Sequence, residues 1–236
     1  MKLFDSEPHV LFEDNHLLVV LKPAGWLAQR DEQNPLPDLE NWAGRYRQAR
    51  EGKPGLGFAK ACHRLDVPVR GIVAMAKTSK AQVRMQQSQQ AGLWKKIYLA
   101  HTRPAPEVEE GTLCDWLIQR EGWAECVHPG TPGAKEAVLN FTVLTRHQQE
   151  GWLGVELLTG RYHQIRAQLA AHGFPICGDV KYGAQERRGT EGIDLFGVAL
   201  GFPHPVTGKE NWLTVLDPSD PAAWIDWVES RRPPSA

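Results

Sequence analysis

The apolar residues of this chain come in strand-sized pieces, and that fragmentation limits its fold more than any other feature. Val10–Phe12 and His16–Leu21 flank Glu13-Asp14-Asn15, which has turn chemistry, and Pro23-Ala24-Gly25 breaks the pattern after them. Gly71–Ala76 is a nearly continuous apolar run bounded by charges, which predicts a buried strand. Lys95–Ala100, Leu195–Phe202 and Asn211–Val215 read as further strands, and Ala137–Leu144 with Trp152–Leu158 as an antiparallel pair. Helical stretches fall between them without regular alternation. Asp38 opens one that runs to Arg50 and stops at Gly52-Lys53-Pro54-Gly55. Thr78 caps a second that reaches Ala91 before Gly92, and Tyr162–His172 is a third, stopped by Gly173. Pro221 stands at the first helical position of a fourth, Ala222–Arg232. Many strands, irregularly inserted helices and no βαβ alternation predict an α+β fold with a mixed, mostly antiparallel central sheet and flanking helices. The 236 residues suffice for one domain, 1–236, or for two subdomains around a central cleft. The Gly183–Gly192 loop and Pro233–Ala236 are expected to be mobile.

No run is long enough to span a bilayer as a helix; the longest candidate, His16–Leu21, ends at Lys22-Pro23. Met1–Glu7 carries an acid where a signal peptide needs its apolar segment, so no membrane partner and a cytoplasmic location are expected. The four cysteines, Cys62, Cys114, Cys126 and Cys177, form no CxxC pair and no Cys/His cluster close in sequence. Buried free thiols are expected, rather than disulfides or a structural zinc. The net charge of −1 argues at first against a polyanionic partner. Its distribution argues the other way. From Lys60 to Lys96 eight Lys/Arg face one acid, Asp66, whereas Ile97–Gly160 holds nine carboxylates against four Lys/Arg. Local potential, not total charge, attracts a phosphate backbone, so the block fits either a nucleic-acid face or a solvated lysine-rich surface.

Asp66 is therefore the first candidate for chemistry. Basic neighbours keep a carboxylate ionised, and an ionised, positioned carboxylate serves as nucleophile, general base or half of a structural ion pair, the last being the commoner use. The second dense segment is Leu158–Arg166. Arg161 is placed near the first turn of the third helix, where the dipole disfavours a cation, so it calls for a partner, and Asp66 is one candidate. His163 and Arg166, three apart, share a helix face. A metal set of His63 and Asp66 with His163 or His172 is weighed and set aside, since no HxH or HExxH occurs and basic residues crowd the ligands. Gly52–Gly57 lacks the GK[ST] ending of a phosphate loop. Among nine tryptophans and four tyrosines, Tyr98 stands out because it follows Lys95-Lys96-Ile97, although a core position accounts for it equally well.

Taken together, these segments resemble the RluA-type RNA pseudouridine synthases. His63-Arg64-Leu65-Asp66 with Gly71 and its apolar run is similar to the HRLD motif of that family, and Asn15–Gly25 to its opening motif. Lys95–Ala100 resembles its K-x-Y-x-A segment. Thr159–Arg166, continuing to Pro175–Asp179 and Tyr182-Gly183, resembles its T-G-R-x-H-Q-I-R…P-I-x-G-D…Y-G block, and Phe202–Gly208 its F-x-H-P-x-T-G element. The likeness runs in order from about Val10 to Leu216. It implies a pseudouridine synthase fold, an RNA partner (tRNA or rRNA), no cofactor or metal, and a monomer. It also implies Asp66 as nucleophile, Tyr98 at the base and in C5 proton removal, and Arg161 as the counter-ion of Asp66. Arg64, His63 and Arg166 are implied as substrate-binding residues, with Lys22-Pro23 shaping the pocket floor.

The chain departs from the family at Val67-Pro68-Val69-Arg70-Gly71, where HRLD is usually followed by x-x-T-S-G. An S4-type RNA-binding module is not expected beside these motifs, which leaves recognition to the basic block and to Pro104–Lys135. Two other classes stay open at this point: a non-catalytic RNA-binding or RNA-chaperone protein on the same fold, and a glycosidase-like hydrolase needing a second acid.

Overall fold

The computed structural model describes residues 6–52, 54–185 and 192–234. Part of the Gly183–Gly192 loop and the last two residues therefore lie outside the described residues, as do Lys53 and most of Met1–Glu7. Eleven strands and four α-helices are described: β1 (His9–Glu13), β2 (Leu17–Lys22), α1 (Leu39–Glu51), β3 (Lys60–Ala61), β4 (Arg70–Ala76), α2 (Ser79–Gln90), β5 (Lys95–Thr102), β6 (Glu110–Arg120), β7 (Trp123–Val127), β8 (Lys135–His147), β9 (Glu150–Leu157), α3 (Gln164–Ala171), β10 (Leu195–Pro203), β11 (Glu210–Thr214) and α4 (Ala222–Glu229). The fold is α+β. It divides into two compact units, one running up to Trp94 and taking in Gly197–Asp217, the other made of Lys95–Phe196 and Pro218–Arg231.

In the first unit the strand order is β1-β2-β4-β10, with β3 on β4 and β11 on β10. β2 (LLVVLK) is buried at every position and β4 at all but its first, the signature of strands covered on both faces. α2 lays Ala81 and Met85 on a core of Leu17, Val19, Ile72, Ala74 and Phe202. Both helices start where their caps predict: Asp38 Oδ1 accepts from Asn41 N at 2.7 Å, and Thr78 Oγ1 from Ala81 N at 3.1 Å. Gly71 has φ +146°, and a Cβ there would fall 2.6 Å from the backbone of Gly197, so only glycine lets these two segments approach.

In the second unit the order is β5-β9-β8-β6-β7, and every pairing is antiparallel. The β6–β7 hairpin, which the sequence reading leaves as a variable stretch, turns at Glu121-Gly122, with Arg120 opposite Trp123. α3 starts at Gln164, two residues later than expected, and Pro221 is the N-cap of α4 rather than its first turn. Among the described residues no helix is long and apolar enough to cross a membrane.

Candidate active site

The sequence motifs pair off inside each unit, and their pairing shapes the site. In the first unit Lys22, at the end of β2, has no exposed surface. Its Nζ donates to the carbonyls of Trp26 (2.8 Å), Pro23 (3.0 Å) and Val67 (3.3 Å), and Gly25 N also donates to Val67 O at 2.9 Å. The opening motif thus clasps the turn that follows Asp66. That turn is closed by Val69 N donating to Asp66 O at 3.0 Å, with Leu65 and Val69 buried on either side. Burial pushes the Lys22 ammonium down to about 7, the Asp66 carboxylate pulls it up, and Arg70 pushes it down again. Lys22 and Arg70 therefore both lie within electrostatic reach of the Asp66 loop.

His63 holds the same loop from the other side. Its Nε2 accepts from Ala74 N at 3.1 Å, and its ring meets Trp94 edge-on at 5.3 Å. These contacts make it a fastener between the HRLD loop and β4. Arg64 is exposed, whereas Asp66 is partly buried. The late F-x-H-P-x-T-G element has a matching structural task. His204 Nε2 lies 2.7 Å from Asp14 Oδ2, and Asp14 Oδ1 accepts from His16 N and Leu17 N, both at 2.7 Å. Burial works against the Asp14 charge, but these donors hold its carboxyl below the usual range.

In the second unit Tyr98 is buried on β5, opposite Val155 of β9. Lys96, two residues before it, is lowered by burial to about 8, and its Nζ lies beside Gly160, 3.5 Å from where a Cβ would stand. The Thr159–Arg166 block folds around the side chain of Gln164. Its Oε1 accepts from Thr159 Oγ1 (2.8 Å) and Arg161 N (2.9 Å), and its Nε2 donates to Val138 O (3.1 Å). His163, the N-cap of α3, takes the left-handed φ of +51°, stacks on Tyr162, and places Nδ1 2.8 Å from Tyr182 Oη.

The two arginines of this block differ sharply. Arg161 precedes α3, is exposed, and donates from Nε to Glu136 O at 2.8 Å. Arg166 is 4% exposed and grips Asp179 with two bonds, Nε to Oδ2 at 2.7 Å and Nη2 to Oδ1 at 2.9 Å. Its guanidinium carbon also sits 4.9 Å from the centre of the Tyr182 ring. The P-I-x-G-D and Y-G elements thus supply the groups that lock α3. Of the histidines weighed as ligands, His163 is engaged by Tyr182, and His172 Nε2 lies 3.1 Å from Asp115 Oδ2.

The RNA pseudouridylate synthase family profile matches residues 16–171. The chain belongs to this family. It is an RNA pseudouridine synthase, an isomerase of RluA type. It is 31% identical to the dual-specificity RNA pseudouridine synthase RluA of Vibrio parahaemolyticus, over 92% of this chain and 85% of that protein. It is also 31% identical to the ribosomal large subunit pseudouridine synthase D of Pseudomonas aeruginosa, over 78% of this chain and 56% of that one. Human RNA pseudouridylate synthase domain containing 4 shares the fold, with a TM-score of 0.73 at 20% identity, covering 93% of this chain and 92% of that one. For a pseudouridine synthase, the Lys22 clasp and the Arg166–Asp179 lock are the groups that hold the motif loops in place.

Proposed function

We propose that this pseudouridine synthase isomerises specific uridines in tRNA or ribosomal RNA with Asp66 as its nucleophile. The observation that carries the proposal is the loop itself: Asp66, the lone acid of a basic block, sits on a turn fixed by the buried ammonium of Lys22. The reaction breaks the N1–C1′ bond, turns the uracil, joins C5 to C1′, and moves the C5 proton, so no atom is gained or lost. A carboxylate meets the electrophile left at the sugar or base, and a nearby group takes the C5 proton. We assign that proton to Tyr98. The target uridine has to leave its stack, with Arg64 and the basic block holding the deformed backbone. The isomerisation is redox-neutral and needs no cofactor to run, and a single catalytic domain acting as a monomer in the cytoplasm fits this reading. The name of the large-subunit relative supports ribosomal RNA as a substrate class, and the dual-specificity RluA relative fits a second target.

By resemblance, Arg161 is the counter-ion of Asp66, whereas Arg166 is committed to Asp179. Pseudouridine mapping of RNA from a strain lacking the protein, complemented with wild type or Asp66→Asn, tests the assignment. One or more sites should vanish on deletion and stay absent with Asp66→Asn. Full restoration by that variant would exclude Asp66 as nucleophile.

A further inference from the structure

His101, Cys177 and Asp194 are far apart in sequence, and none belongs to the proposed reaction. In the second unit they are tied into a closed ring of backbone hydrogen bonds. His101 N donates to Asp194 O (2.9 Å), Asp194 N to Cys177 O (3.0 Å), and Cys177 N to His101 O (2.8 Å). Their side chains converge on one point, with an imidazole nitrogen, a thiol sulfur and a carboxylate oxygen all within 4.8 Å of one another. His101 Nδ1 faces Asp194 Oδ2 at 3.1 Å, while Nε2 faces Glu150 Oε2 at 3.2 Å. The ring lies flat on Trp152, with centroids 4.8 Å apart. Such a carboxylate on the far nitrogen is how metal-ligating histidines are oriented. A cavity of about 690 Å³ lined by Arg103, Arg146, Glu150, Cys177 and Gly178 gives access to the thiol side.

We propose that His101 Nδ1, Cys177 Sγ and Asp194 form a zinc-type divalent-metal site, with Glu150 orienting the histidine and the fourth position open to the cavity. The ligand types suit zinc, which takes nitrogen, sulfur and oxygen donors in tetrahedral array. Donors in such an array stand roughly 3.3–3.6 Å apart, so about an ångström of side-chain adjustment closes the set. Cys177 is a buried free thiol, as expected. Cys62 is also buried, whereas Cys114 is exposed and Cys126 partly so.

The test uses the full chain, stripped with a chelator and titrated with Co²⁺ and then Zn²⁺. A thiolate-to-cobalt charge-transfer band with tetrahedral d–d bands should saturate at one equivalent and disappear on adding Zn²⁺. Cys177→Ser should abolish the charge-transfer band, while Cys114→Ser and Cys126→Ser keep it. Glu150→Gln should keep the band and weaken Zn²⁺ binding by about 10–100-fold. Asp194→Asn preserves the backbone ring and should weaken binding at least tenfold, which serves if Cys177→Ser does not fold. The site is overturned if no band forms, if the band survives Cys177→Ser, or if Asp194→Asn binds as wild type does. Asp66→Asn should bind metal normally, which separates this result from the fate of the proposed reaction.

Discussion

At the scale of single residues, Arg161 and Arg166 show how far apart two arginines of one motif can lie in energy. Arg166 is paired with Asp179 where neither is open to water, so removing it strands a buried carboxylate. Arg166→Ala should cost about 3–5 kcal/mol in urea unfolding, whereas Arg161→Ala, at the surface, should cost under about 1 kcal/mol. Arg161→Ala is therefore a clean probe of turnover. Loss of pseudouridine formation with unchanged stability supports Arg161 as counter-ion; retained turnover removes the proposed ion pair from the mechanism. Both arginines were legible in the T-G-R-x-H-Q-I-R string, but their difference was not. It depends on Asp179, thirteen residues on, turning back under α3.

At the scale of elements, α4 rests on β9 through a missing side chain. A Cβ on Gly154 would fall 2.6 Å from three ring atoms of Trp227, so Gly154→Ala has to displace the indole and with it the helix. About 1–3 kcal/mol of stability should be lost, read as a fall of several degrees in Tm. An unchanged Tm would mean that Trp227 is free to re-pack. Helix starts were legible wherever a side chain caps them, as at Asp38 and Thr78. α3 begins instead after His163, an N-cap whose side chain makes no cap bond, and its start was misplaced. β6 and β7 were missed because Cys114, Asp115, Gln119 and Glu121 interrupt the apolar alternation. Only the Glu121-Gly122 turn, with Gly122 at φ +74°, carried a usable hairpin signal.

At the scale of the whole molecule, Lys22 links stability to pH. Its folded value of about 7 lies below its ordinary 10.5, so below pH 7 both states carry the proton and the folded state bears the full cost of the buried charge. Between about 7 and 10.5 only the unfolded chain holds the proton, so this contribution grows with pH, and then levels off. Lys96, lowered to about 8, slopes the same way. The difference in unfolding free energy between wild type and Lys22→Met should therefore shift in favour of wild type as pH rises through this window, by at most about 5 kcal/mol. A flat difference would show that the three carbonyls compensate the ammonium fully.

Sequence alone determined the family, the α+β class and the strands and helices with strong periodicity or caps, because these depend on local patterns and on motif order. Tertiary structure alone decided what each motif is for. Asp14 meets His204 across 190 residues, and His101 meets Asp194 across 93. Such contacts follow from which strands become neighbours, and no local spacing encodes that. The clasp of Lys22 on the Asp66 loop has the same origin: a buried lysine needs acceptors, and only the fold supplies three carbonyls at its tip.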